Sequence, residues 1–292
     1  MITGTRVHRG RASVPAGKEI GMDNRPIGVF DSGLGGLTAV RELAAQMPNE
    51  TLIYFGDTGR VPYGGRSRDT IIRYARQDVA FLRTFDLKAV VVACGTVSAT
   101  ALPQLQAEQD IPVFGVVEPT ARQAAEETRN QKIGLIATRA TIRTGAYERA
   151  IARLDPAAAV YPLACPLFVP LVENGRTQPG DVVIETVAAE YLAPLKEAGV
   201  DTLVLGCTHY PLLREVIGGF MGPQVSLVDS GAAVARRVCS YLRESGQGAA
   251  ESRTGSCRWY VSDSTEGFAG LASRFLGRPV TEPVEQVSVE AD

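Results

Sequence analysis

The sequence predicts an α/β protein: two similar open parallel-sheet α/β domains, related by an approximate two-fold pseudo-symmetry, with a site in the cleft between them. Three observations point there. Short apolar runs rich in Val and Ile lack the alternation of half-exposed strands, as strands buried on both faces do. Helix-like segments separate the runs, which is the rhythm of an open doubly wound sheet. The second half of the chain also echoes the first, and 292 residues suffice for two domains.

In chain order, residues 1–22 combine basic and small residues without an apolar segment. They are expected to form a disordered extension rather than a secretory signal, with Met22 as an alternative start. Strands are then expected at 27–30 (IGVF), 51–55 (TLIYF), 89–93 (AVVVA), 112–117 (PVFGVV) and 132–137 (KIGLIA). Further runs lie at 158–163 (AAVYPL, the weakest), 202–206 (TLVLG) and 225–228 (VSLV). Residues 67–84 place Ile71, Ala75, Val79 and Leu82 on one helical face, with Arg68, Arg73, Arg76 and Asp78 elsewhere. Helix-like stretches at 231–244 and 267–277 end the pattern. The echo pairs Ile27-Gly28 with Ile133-Gly134, Cys94 with Cys207, and Val117 with Val228, at offsets of 106, 113 and 111. Offsets this steady place a second domain at 119–228 and give the first domain residues 23–118 plus 229–292.

Composition removes several function classes. With 30 Lys and Arg against 32 Asp and Glu, there is no cationic surplus for a phosphate backbone, so nucleic acid is not expected as the main partner. No run approaches the ~18 apolar residues of a membrane span. The five cysteines, odd in number and scattered, make no disulfide framework and fit a reducing cytoplasm. With only His8 and His209, a site built from several histidines is excluded.

Ligands of open α/β sheets bind beyond the carboxyl ends of the strands. Small and polar residues gather there: Asp31-Ser32-Gly33, Gly56-Asp57-Thr58, Cys94-Gly95-Thr96, Glu118-Pro119-Thr120 and Cys207-Thr208-His209. Loop amides and helix N-termini at such places attract carboxylates, and the same position is expected to lower a thiol pKa from its usual ~8.5. Cys94 and Cys207 occupy equivalent places in the two halves. Across a pseudo-two-fold they would flank one carbon, one removing a proton as the other delivers one. Inert buried cysteines, a disulfide and a zinc site are the alternatives, the last short of ligands without a CxxC pair. Gly33-Leu34-Gly35-Gly36 imitates a dinucleotide fingerprint but has Thr38 where the third glycine belongs. Asp57 reads as a loop or cap carboxylate. Cys207 with His209 also fits a thiol nucleophile and its base, which leaves Cys94 unexplained.

Five longer segments sharpen this picture: GVFDSGLGGL (28–37), YFGDTGRVPYG (54–64), ACGT (93–96), CPLFVPLVENG (165–175) and LGCTHYPLL (205–213). From about Pro26 to Gly277 the chain resembles the glutamate racemase family, cofactor-independent enzymes that make D-glutamate for peptidoglycan. The resemblance implies that Cys94 and Cys207 are the catalytic thiols, the first taking the D-glutamate proton and the second the L-glutamate proton. Asp31 would assist Cys94, while Glu173 and His209 would assist Cys207. Substrate contacts would come from Asp31, Ser32, Tyr63, Gly64, Gly95, Thr96, Thr208 and His209. No cofactor or metal is expected, glutamate is the expected small-molecule partner, and a homodimer is the expected assembly.

One residue departs from the family pattern: Gly95 stands where asparagine usually follows the first cysteine. A lost hydrogen bond to a charged ligand would weaken binding by about 1.5–3 kcal/mol unless another donor replaces it. This leaves aspartate or another acidic amino acid as an alternative substrate, and a non-catalytic amino-acid-binding protein as the alternative of another class.

Overall fold

The computed structural model describes residues 22–289. The extension expected over 1–22 lies outside these residues save for Met22, which is exposed. The chain runs β1 (Ile27–Asp31), α1 (Leu37–Gln46), β2 (Leu52–Gly56), α2 (Arg68–Leu82), β3 (Ala89–Val92), α3 (Gly95–Glu108), β4 (Val113–Gly115) and α4 (Val117–Glu127). It continues through β5 (Lys132–Ala137), α5 (Arg139–Thr144), α6 (Ala146–Leu154), β6 (Ala159–Ala164), α7 (Phe168–Glu173), α8 (Val182–Glu197), β7 (Thr202–Leu205), α9 (Arg214–Met221) and β8 (Ser226–Asp229). α10 (Ser230–Ser245), β9 (Cys257–Val261), α11 (Phe268–Leu276) and β10 (Val284–Gln286) follow.

Two sheets form, both wholly parallel, ordered β10-β9-β2-β1-β3-β4 and β6-β5-β7-β8. The second sheet therefore repeats the order β2-β1-β3-β4 of the first. The apolar runs lack alternation because β1, β2, β3 and β7 are buried at every residue. β6 is the exception. It is an edge strand, half exposed and containing Pro162, which suits an edge where a ladder donor can be missing. Its mixed burial explains the weak signal at 158–163.

The Ile-Gly echo has a packing cause. A side chain at Gly28 would meet Leu87 and Leu82, and one at Gly134 would meet Leu203, Val200 and Leu195. In each half the glycine makes room for apolar side chains that lead into the neighbouring strand: Leu82 of α2 and Leu87 after it, and Leu195 of α8, Val200 after it and Leu203 on β7.

The run at 112–117 gives a strand of only three residues, because Val117 already belongs to α4, whose first turn accommodates Pro119. After β8, Asp229 caps α10 by accepting from Gly231 N at 2.8 Å and Ala232 N at 3.2 Å. α10 packs against α1 and α4, carrying the chain back to the first sheet. β9 and β10 then extend that sheet beyond β2. Neither was among the expected strands.

A buried ion pair anchors the end of the first sheet remote from the strand-end loops. Lys88 Nζ lies 2.6 Å from Glu50 Oε2, with the two side chains 0% and 5% exposed. Lys88 also donates to the carbonyls of Asp23 (2.7 Å) and Gln247 (2.9 Å), and Glu50 accepts from Ala249 N at 2.8 Å. Lys88→Met strands the Glu50 carboxylate and is expected to cost about 3–5 kcal/mol in urea unfolding. Breaking the exposed Arg83–Asp110 pair by Arg83→Ala is expected to cost under about 1 kcal/mol. Equal losses would show that the buried pair has no special weight.

Candidate active site

The carboxyl ends of β1, β3 and β5 and the loop after β7 open onto one cavity of about 380 Å³. Cys94 and Cys207 both line it. They are 5% and 7% exposed, and both are free thiols. Ser32, Tyr63, Gly64, Gly95, Thr96, Glu173, Thr208 and His209 line the same cavity. Asp31 does not. Its side chain is 1% exposed behind the loop, where Oδ2 accepts from Gly33 N at 3.1 Å and Oδ1 has no partner.

Cys94 ends the stretch leading from β3 and occupies the N-cap of α3, with Ser32 Oγ 3.2 Å from its sulfur. The helix terminus was expected to lower this thiol. Instead burial pushes it up to about 12, the nearby Asp31 charge adds to the rise, and the Ser32 hydroxyl only partly opposes it. Removing the anion from water outweighs the helix field here. Burial likewise raises the Asp31 carboxyl, against the pull of the His209 charge and three backbone N–H groups.

Cys207 follows β7 and stands against a charged relay. His209 Nδ1 is 3.8 Å from Cys207 Sγ, and its Nε2 is 3.0 Å from Glu173 Oε1, on the last residue of α7. The ring of Phe275 meets the imidazole edge to face at 5.3 Å. Burial alone would lower His209. The contacts with Cys207 and Glu173 more than offset it and hold the imidazole up to about 10, so it is a cation at neutral pH.

Two glycines set how closely the halves meet. A Cβ on Gly35 would fall 2.3 Å from Thr208 Oγ1 and 2.4 Å from His209 Nδ1. The glycine-rich loop is thus pressed against the other half rather than shaped around a pyrophosphate. A Cβ on Gly95 would lie 2.5 Å from the carbonyl oxygen of Gly206. That is backbone against backbone, so the asparagine expected at this position has no room here. Hydroxyls bridge the same seam: Thr38 Oγ1 donates to the Thr208 carbonyl (3.0 Å), and Thr96 Oγ1 lies 3.0 Å from Thr138 Oγ1.

Tyr63 lines the cavity, but its hydroxyl is engaged elsewhere. It donates to Asp57 and, at 3.2 Å, to Asp78. Arg60 ties the two carboxylates together, Nε to Asp57 at 2.7 Å and Nη2 to Asp78 at 2.8 Å. Asp57 is therefore part of a buried ionic cluster and caps no helix by its side chain.

Thr138, Arg139, Val169 and Pro170 line the cavity too and were not singled out beforehand. Thr138 and Arg139 follow the β5 run directly, so the strand-end rule could have found them. Val169 and Pro170 carry no such signal. Among the described residues, no three His, Cys, Asp or Glu side chains group to hold a metal ion, and no helix is long and apolar enough to cross a membrane.

Comparison with known proteins agrees with this geometry. The model of the Asp/Glu/Hydantoin racemase family matches residues 33–238. A glutamate racemase of Geobacter metallireducens is 50% identical over 271 residues, 93% of this chain and 99% of the relative. The crystal structure of a Bacillus anthracis glutamate racemase isoform superposes with a TM-score of 0.86 at 37% identity, covering 91% of this chain and 98% of that one. A Francisella tularensis glutamate racemase in complex with D-glutamate gives 0.83 at 38% identity, covering 92% and 99%. A chain with this site, matched over nearly its whole length by such relatives, belongs to the Asp/Glu/Hydantoin racemase family.

Proposed function

We propose that this chain is an isomerase that interconverts L- and D-glutamate by moving one proton off and another onto Cα, with Cys207 serving one face and Cys94 the other. The observation that carries the reading is that both thiols line a single cavity, one from a strand end of each half. From L-glutamate, the Cys207 thiolate takes the α-proton, and the C–H electron pair stays on Cα and spreads into the carboxylate. The Cys94 thiol then delivers its proton to the opposite face. The reverse reaction exchanges the roles. Charge gathering on the carboxylate needs donors aimed at it. That Ser32, Gly64, Gly95, Thr96 and Thr208 all line the cavity supports giving this role to their hydroxyls and amides. Asp31 attends Cys94 from behind, and Glu173 holds the His209 cation beside Cys207.

In this reading residues 23–118 with 229–292 act as one lobe and 119–228 as the other. The product supplies D-glutamate for peptidoglycan. The free thiols suit a reducing cytoplasm, and exposed apolar side chains such as Leu167 and Val182 suit a homodimer.

Racemisation in deuterated water tests the two-thiol assignment. Cys94→Ser and Cys207→Ser are each expected to lower racemisation by about 10²–10⁴-fold. Cys207→Ser should still exchange the α-proton of D-glutamate and leave L-glutamate untouched, and Cys94→Ser should do the reverse. Exchange surviving in the double variant overturns the assignment.

The protonation of His209 is read directly by NMR, since the chain holds only two histidines and His8→Gln identifies the other signal. The His209 imidazole is expected to stay cationic through neutrality and lose its proton near pH 10. Glu173→Gln and Cys207→Ser remove the contacts that raise it, so each should shift that midpoint downward. A wild-type midpoint near the ordinary 6.5 contradicts the relay.

Gly95→Ala puts a carbon against the Gly206 carbonyl, and Gly95→Asn adds bulk beyond it. Overpacking of this kind costs about 1–3 kcal/mol, measurable by urea unfolding, and should raise KM as the lobes are pushed apart. Variants as stable and active as the parent would show that the seam yields freely at this point.

A further inference from the structure

A second cavity, of about 500 Å³, lies where the segment after Tyr63–Gly65 meets α3, α5 and the start of α6. Four guanidinium groups line it. Arg66 and Arg68 flank Ser67, the cap of the 15-residue helix α2, while Arg143 stands in the last turn of α5 and Arg149 on α6. Among the described residues none of the four pairs with a carboxylate within 4.0 Å. Asp69 and Glu148 are their sequence neighbours, and neither lines the cavity. In a chain of net charge -2, this is an unusual concentration of uncompensated cations.

The wall also holds a buried polar group. Thr100, in the interior of α3, is 8% exposed, and its Oγ1 has no hydrogen-bond partner. A helical threonine ordinarily folds its hydroxyl back onto the carbonyl four residues earlier, and buried polar atoms are as a rule paired. Thr100 contributes to the cavity wall, but its hydroxyl oxygen is itself shielded from solvent.

We propose that this cavity binds a di- or triphosphate group. Planar guanidinium forks match phosphate oxygens two at a time, and two or three phosphoryls bring about three or four negative charges to meet four positive ones. The capped N-terminus of α2 adds its positive field. Part of the framework is already fixed: Arg149 Nη1 donates to the Thr144 carbonyl at 2.7 Å, and the Gln104 amide accepts from Arg68 at 2.6 Å. The site draws α2 and α3 from one half and α5 and α6 from the other. Its occupant therefore ties together elements that also begin at the walls of the first cavity, through Gly65 and Arg139.

Calorimetry and thermal unfolding of the full chain at physiological ionic strength, with tripolyphosphate, pyrophosphate, ADP and adenosine, test this. Tripolyphosphate and ADP are expected to bind one per chain and raise Tm by mass action, and adenosine to do neither. Tighter binding of ADP than of tripolyphosphate identifies a nucleotide as the natural source, and the opposite order a free oligophosphate. Arg66→Ser and Arg143→Ser should each weaken binding by about tenfold or more. No binding overturns the proposal. So does binding that persists in the Arg66→Ser, Arg143→Ser double variant, or that is lost in the control Arg122→Ser, Arg236→Ser, whose arginines line a separate cavity.

Discussion

The structure depends on how closely two main-chain segments approach across the seam between its sheets. Gly95 lies under the carbonyl of Gly206, and Gly35 lies against Thr208 and His209, at distances where a single added carbon would have to displace backbone or a buried ring. Protein interiors are packed too tightly to absorb such a displacement without cost. Because the loops touch here, the strand ends of both halves empty into one cavity rather than two. Cys94 and Cys207 share an environment for that reason, and not because of any property of either cysteine alone.

The same closeness sets the charges. Excluding water penalises every ion in the cavity, and the two sulfurs meet that penalty differently. Cys94 has a neutral hydroxyl and a buried carboxyl for neighbours, and its proton is held tightly. Cys207 has an imidazolium braced by a carboxylate, an arrangement that keeps a positive charge beside sulfur even though the ring is 7% exposed. A buried charge persists only when paired and hydrogen-bonded, and Glu173, reaching in from the partly exposed end of α7, supplies the pairing. The polar cluster of Asp57, Arg60 and Asp78 acts at one remove: it engages the Tyr63 hydroxyl and so fixes one wall of the cavity.

Much of this was legible in the sequence, for identifiable reasons. Eight strands announced themselves as apolar runs because parallel strands covered on both faces need no polar residues. The strand-end rule located Cys94, Thr96, Cys207 and His209 without any three-dimensional information. What escaped notice depended on partners distant in sequence. β9 (CRWYV) lies beyond the repeat and reads as a strand only once β2 offers an edge. The reason for glycine at 95 is an atom of Gly206, which no local pattern reveals. The inert placement of the Tyr63 hydroxyl depends on Asp78, in the middle of a helix whose amphipathic pattern placed that residue off the apolar face. The pKa of Cys94 was misjudged because a helix N-terminus is visible in sequence and burial is not.

The asymmetry between the thiols has a thermodynamic boundary. L- and D-glutamate have equal free energies in water, so the ratio of kcat/KM in the two directions is fixed at unity whatever the protein does. An imidazolium beside one sulfur and a hydroxyl beside the other cannot favour one product. What the asymmetry can set is the cost of each proton transfer: burial holds a proton firmly on Cys94, while a cation stands beside Cys207. On the proposed two-thiol mechanism, a molecule that has just formed D-glutamate is left with its proton on Cys207 and returns it through solvent before meeting L-glutamate again. A cavity that opens to solvent on the Glu173 side, where that side chain is 41% exposed, gives this return a route that does not cross the substrate. In that mechanism the close-packed seam at Gly35 and Gly95 and the partly exposed Glu173 at the end of α7 are complementary, the first joining the two strand ends in one cavity and the second leaving protons a way out.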